Sequence, residues 1–163
     1  MALDYIQQVF IELTNHCTHK CITCLNRVMK RKRGFMRCED FKNIVDRLAD
    51  REIKTSKVHF YGDGEAYLHP NHNELFKYGI EKLKPLGIET TIISNGSVID
   101  KIPDGIDVFI ISFNAGRRET FNKIVGVEDF DNVLNNIYRL HDSGEFEKAG
   151  RVEIHMLVFE DNK

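Results

Sequence analysis

ETTIISNGSVIDKIPDGIDVFIISFN, residues 89–114, holds two apolar runs, Glu89 to Ser94 and Asp107 to Phe113, joined by a short connection. Both are too apolar to turn one face to water, which is how buried parallel strands read. Each stops at polar residues, Ser94-Asn95-Gly96 after the first and Ser112 to Asn114 at the end of the second. The connection from Asn95 to Ile106 contains Pro103, so any helix in it is brief. Three more runs have strand character: QVFIEL from Gln8, KVHFY from Lys57 and VEIHMLVF from Val152.

Helical patterns lie between these runs. Phe41, Ile44, Val45 and Leu48 form one apolar stripe, and Phe130, Val133, Leu134, Ile137 and Tyr138 form another. A third helix is predicted from about Asn73 to Leu83, with Asn71 and Glu74 spaced as a capping box and Phe76, Ile80 and Leu83 facing inward. Strand alternates with helix, which argues for a parallel α/β fold with right-handed crossovers, either doubly wound or a barrel of βα units. No repeat, low-complexity tract or linker divides the chain, so residues 1–163 read as a single domain.

The chain has 163 residues, a formal net charge of -2 and 42% hydrophobic residues, enough for one compact domain with a core. No stretch is apolar over the ~18 residues that a membrane span needs. MALDYIQQVF lacks the layout of a signal peptide. The expected compartment is the cytoplasm, where thiols stay reduced, so the four cysteines point to metal or catalysis before disulfides.

In either architecture ligands gather where strands end. There lie Cys17, Cys21 and Cys24 after the first run, Gly62-Asp63-Gly64-Glu65 after the second, Ser94-Asn95-Gly96 after the third and Ser112 to Asn114 after the fourth. A structural zinc site is closed by four ligands, commonly from two separated CxxC pairs, whereas Cys17-x3-Cys21-x2-Cys24 is a single compact loop. A four-iron cluster also takes four ligands, so three thiolates leave one iron open for a substrate or cofactor. Zinc stays as the competing reading, with His16, His19 or Cys38 as fourth ligand.

CTHKCITC (17–24) resembles the C-x3-C-x2-C signature of the radical S-adenosylmethionine (radical SAM) enzymes. YGDGEAYLHP from Tyr61 resembles the family's GGEP segment, IISNGSVI from Ile92 its TNG segment and ISFNAGRRETFNKIVG from Ile111 its strand-four segment. MKRKRGFM from Met29 resembles the region after the cysteines in the peptide- and cofactor-maturing branch.

The resemblance implies a partial parallel (βα) barrel, with about five βα units present and the sixth strand of the family core missing or cut off. It implies that Cys17, Cys21 and Cys24 ligate a [4Fe-4S] cluster and that its open iron holds S-adenosylmethionine. Reductive cleavage of that cofactor gives a 5'-deoxyadenosyl radical that abstracts hydrogen from a substrate. On the same ground Gly62, Asp63 and Gly64 let backbone approach the cofactor, and Glu65 accepts from its amino group. Ser94, Asn95, Ser112 and Asn114 face its ribose or carboxylate, the backbone at Thr23 meets adenine, and Ile154 to Val158 line the adenine side. A reductant such as flavodoxin or ferredoxin is implied, and the favoured substrate is a peptide or a small cofactor precursor. A second copy of the chain completing the barrel is one account of its length.

This chain departs from the family pattern at Thr23, commonly aromatic, at Ala66, commonly proline, and at Asn114 and Val125. Arg117, Arg118 and Lys123 are then candidates for pairing with the cofactor carboxylate. His59 and His155 lie in apolar runs and read as core histidines, and Cys38 as a buried or idle thiol. Arg27, Lys30, Arg31, Lys32, Arg33 and Arg37 crowd one loop, which is either a solvated surface or a site for an anionic partner. Without interleaved aromatics it does not read as a nucleic-acid surface. A reading from a different class follows: a non-catalytic module, stabilised by zinc or a cluster, whose basic loop 27–37 holds an anionic partner.

Overall fold

The computed structural model describes residues 5–158. All five expected strands are present: β1 (Ile6–Phe10), β2 (Thr55–His59), β3 (Glu89–Ser94), β4 (Val108–Ser112) and β5 (Arg151–His155). The expected fifth run reached Phe159, which lies outside the described residues, as do both ends of the expected 1–163 domain. Every neighbouring pair is parallel and the order is β1-β2-β3-β4-β5. A doubly wound sheet reverses its order at a switch point. This one does not, so it is the succession of βα units found in barrels.

Four helices connect the strands: α1 (Cys38–Ala49), α2 (His72–Leu83), α3 (Arg118–Val125) and α4 (Phe130–Asp142). No helix occupies the connection between β3 and β4. On α1 the buried stripe is Phe41, Val45 and Leu48, as its spacing predicts. On α4 it narrows to Val133, Ile137 and Leu140, and Tyr138 is exposed rather than inward. The capping box at α2 does not form: the Asn71 side chain makes no cap bond, and Glu74 instead meets Lys42 of α1 at 2.6 Å. An ammonium on the packed neighbour outcompetes the local backbone for that carboxylate. No helix of the described residues is long and apolar enough to cross a membrane.

Sheet register divides the strands into two faces. Val58 and Thr90 pair on one, as do Ile92, Phe109 and Val152, and there the buried stripes of all four helices join them in one core. On the other face one rung holds Gln8, Lys57 and Glu89, and the next holds Phe10, His59, Thr91, Val108 and Arg151. This second face has no helix against it among the described residues. Phe10 is exposed and stacks on His59, ring centroids 4.6 Å apart, with Tyr61 edge-on to both. Thus β3 and β4 are buried as their composition predicts, while β1 and β5 are largely exposed. His59 and His155 are not core residues: His59 is partly buried on the open face, its ring nitrogen Nε2 2.9 Å from Gln8 Oε1, and His155 is exposed beside Glu153. His59 Nδ1 is buried without a hydrogen-bond partner.

Candidate functional site

The cysteine loop begins where β1 runs out. Ile11 and Leu13 stay buried, and the Ile11 amide still donates to His59, so the chain continues along the sheet before it turns at Thr14 and Asn15. Both turn residues are buried and bonded to the basic loop: Thr14 Oγ1 donates to the Gly34 carbonyl at 2.8 Å, and Asn15 Oδ1 accepts from the Gly34 amide at 2.8 Å. Arg33 donates to the carbonyls of Asn15 at 2.5 Å and Asn26 at 2.7 Å. Buried polar groups must find such partners, and these fold residues 29–37 back onto the loop they follow.

From the other side the loop is held by the start and end of helices. Lys20 and Ile22 donate backbone bonds to the carbonyls of Val125 (2.8 Å) and Ile124 (2.9 Å), the last turn of α3. Gly126 ends that helix at φ 71°, and a Cβ there would stand 2.7 Å from the Lys20 carbonyl oxygen. His19, between the first two cysteines, is buried with Nε2 2.8 Å from Asp129 Oδ2. Burial works against the Asp129 charge, but hydrogen bonds from Ser97, His19 and Asn132 hold its carboxyl below the usual range. His19 therefore keys the loop to the front of α4 and to the segment after β3.

Two of the other expected segments meet this loop. The Glu65 amide donates to the His16 carbonyl at 2.7 Å, and the Asn26 side chain donates to the carbonyls of Asn15 and Asp63 at 2.9 and 2.6 Å. Asn95 Nδ2 donates to Thr18 Oγ1 at 2.9 Å and approaches Cys17 Sγ at 3.5 Å. Glu65 is buried, and both carboxylate oxygens are engaged: Oε1 accepts from Ser94 Oγ at 2.9 Å and from the Tyr67 amide at 3.2 Å, and Oε2 accepts from the Asn95 amide at 2.7 Å. Burial pushes its pKa up and the three donors pull it back. This carboxylate ties the segment after β2 to the segment after β3, a different set of contacts from the open ligand group read in the sequence. Asp63 is exposed, its amide on Glu12 Oε2 at 2.9 Å, and Arg31 spans Glu12 and Asp63.

Ser112 and Asn114 stand apart from this knot, at the ends of β4 and β5. Asn114 Nδ2 lies 3.4 Å from Ser112 Oγ and its Oδ1 accepts from the Leu157 amide at 3.3 Å. With Ile93, Ile110, Ile154 and Met156 they line a groove of ≈ 420 Å³. Thr23 is exposed. Of the three cations proposed for a carboxylate, Arg118 is turned onto Asp131 and the Phe130 ring, while Arg117 and Lys123 lie exposed at the start and in the last turn of α3.

The thiols themselves are free and partly buried. Cys24 caps the short turn Leu25–Val28, its sulfur accepting from the Asn26 amide at 3.4 Å. Burial raises the Cys17 thiol, and burial followed by the nearby Cys17 and Cys24 raises Cys21 to about 11. The three are close enough for ionisation of one to oppose that of the next. Among the described residues no three Cys, His, Asp or Glu side chains converge as ligands of a single ion. Three thiolates from one loop are a donor set that fits three irons of an iron–sulfur cluster, whereas a structural zinc is closed by four ligands. A thiol must lose its proton to react, and one at about 11 is on the order of a hundredfold less ionised at pH 8 than one at its ordinary value. Iodoacetamide alkylation of Cys21 in metal-free chain should therefore be slow at pH 8 and rise roughly tenfold per pH unit, read by peptide mass spectrometry. Labelling at the rate of a free cysteine would contradict the burial.

The model of the Radical SAM superfamily matches residues 11–161. An uncharacterized protein of Methanocaldococcus jannaschii is 32% identical over 133 residues, 78% of this chain and 41% of that one. The antilisterial bacteriocin subtilosin biosynthesis protein AlbA of Bacillus subtilis is 29% identical over 163 residues, 93% of this chain and 33% of that one. Among solved structures, Streptococcus suis SuiB bound to precursor peptide SuiA superposes with a TM-score of 0.71 at 18% identity, over 94% of this chain and 33% of that one. The chain thus spans less than half the length of these relatives.

Proposed function

Since the chain belongs to the radical SAM superfamily, we propose that it is the core of a radical SAM enzyme, with residues 1–163 as one domain whose Cys17, Cys21 and Cys24 hold a [4Fe-4S] cluster. The observation that carries this is the loop itself: three mutually close thiols, clamped by α3 on one side and by the Gly62–Glu65 and Asn95 segments on the other. When bound and reduced, such a cluster would supply the electron for reductive cleavage of S-adenosylmethionine, and with it a radical able to take hydrogen from a substrate. The chain's own part is placement. Gly62, Asp63 and Gly64 bring backbone to the cofactor, and Glu65, through Ser94 and Asn95, fixes the wall opposite the thiols. Ser112, Asn114 and the groove they line would take the adenosine, and the backbone of the exposed Thr23 is assigned a contact to adenine.

The favoured substrate is a peptide, with a small cofactor precursor as the other member of the class. The relatives support a peptide, since one is named for biosynthesis of a bacteriocin and another was solved with a precursor peptide. The open sheet face, with Phe10, His59 and Tyr61, supplies the aromatic and polar surface on which such a chain can rest. We place the protein in the cytoplasm with a one-electron donor of the flavodoxin or ferredoxin class. Against the non-catalytic reading, Arg31, Arg33 and Arg37 of the basic loop are spent on Glu12 and Asp63, on backbone carbonyls and on Asp40, which leaves Arg27, Lys30 and Lys32 of that loop exposed.

The test is chromatographic: anaerobic, reduced chain incubated with S-adenosylmethionine should release 5'-deoxyadenosine. Intact cofactor after many equivalents of reductant would overturn the proposal.

A further inference from the structure

The turn that follows the third cysteine is apolar and bare. Leu25 and Val28 are 74% and 69% exposed, and Ile22, between the second and third cysteines, is 43% exposed. Large aliphatic side chains gathered beside one loop, with polar neighbours at their margin, mark a surface that another body covers. The margin is cationic. Lys20, Arg27, Lys30 and Lys32 are exposed, and none makes an ion pair among the described residues, whereas the nearby acids Glu12 and Asp63 are taken by Arg31. This local excess of positive charge belongs to a chain whose formal net charge is -2. The patch is joined to the thiols by one residue, for Cys24 is both a member of the triplet and the cap of the Leu25–Val28 turn.

We propose, resting on the radical SAM reading above, that Ile22, Leu25 and Val28, with the exposed cations Lys20, Arg27, Lys30 and Lys32 that flank them along the chain, form the docking surface for an acidic one-electron carrier protein. The chemistry of the patch fits that occupant on three counts. Electron-transfer encounters are small and short-lived, and a few exposed apolar side chains flanked by cations match that scale. Opposite charge on the carrier speeds its approach and orients it before contact. The site sits on the outer edge of the cysteine loop, where a docked carrier is separated from the thiols by a single turn of chain. The electron balance is one for one: the carrier's reduced group loses one electron and the group held by the thiols gains it.

The experiment uses the chain with its cluster and reduced flavodoxin as donor, mixed anaerobically in a stopped flow and followed as flavin semiquinone appears. Sodium dithionite serves as the donor that needs no docking. The variant Leu25→Ser, Lys30→Glu, Lys32→Glu leaves the cysteines, Arg31 and Arg33 untouched. Its second-order rate with flavodoxin should fall by about tenfold or more, and added salt should slow the parent towards the variant. Dithionite should reduce both alike, with unchanged iron content. An unchanged flavodoxin rate in a variant that dithionite still reduces overturns the docking surface, including the case in which another segment of a longer chain covers it. Failure of the unaltered chain to take up a reducible iron–sulfur chromophore overturns instead the reading on which the surface rests.

Discussion

Cys24→Ala is expected to bring iron content and 5'-deoxyadenosine release to background together, a loss of about a hundredfold or more, since disturbing even a group behind a metal ligand costs ten- to a hundredfold. The effect is double because Cys24 also caps the turn that follows it. Removing the sulfur leaves the Asn26 amide without its partner and loosens the loop at the point where Asn26 bridges Asn15 and Asp63. Serine in place of alanine restores an acceptor for the cap and should recover the melting temperature without recovering iron. Cofactor cleavage that survives in the alanine variant would mean that the triplet does not do what is assigned to it.

Gly64→Ala should be the most damaging of the small substitutions. A Cβ at that position would stand 2.1 Å from the Thr14 carbonyl oxygen and 2.6 Å from that of His16. Those are backbone atoms pinned on both sides, Thr14 to Gly34 and His16 to the Glu65 amide, so they cannot swing aside. Overpacking of this kind costs about 1–3 kcal/mol, or about 3–10 °C in melting temperature for a chain of this size. The methyl group also drives the segment after β2 away from the cysteine loop, and iron uptake should fall with stability. Gly116→Ala is the comparison: a Cβ there meets nothing within 4 Å. If Gly64→Ala melts and loads iron like Gly116→Ala, the tight seam between the two loops is not what holds the site.

Much of the fold was legible because composition tracks burial. β4 is apolar and buried, and the stripe on α1 is buried as its spacing requires, whereas β3 is buried at Thr90 and Thr91 as well as at Ile92. β1 and β5 were harder to read, since the same apolar residues serve an open sheet face and an edge. α3 escaped because eight residues with three buried positions carry too little periodicity to register.

The candidate site divides in the same way. Three cysteines in one loop announce themselves, and strand ends gather polar residues in sequence as they do in space. What sequence cannot show is contact across a long stretch of chain. His19 reads in the sequence as a candidate fourth zinc ligand, yet it is buried against Asp129, 110 positions away. Glu65 reads as a ligand group, and the sequence gives no sign that its carboxylate also accepts from Ser94, Asn95 and Tyr67. The basic loop reads as one patch of charge, yet its residues divide between internal ties made by Arg31, Arg33 and Arg37 and an outward set of Arg27, Lys30 and Lys32.

The central claim is that three thiols hold a cluster with an open iron, and anaerobic reconstitution with iron and sulfide, followed by metal analysis and a visible spectrum, tests it most directly. The expected result is about four irons per chain with charge-transfer absorbance near ~400 nm. One zinc per chain and a featureless spectrum would contradict it.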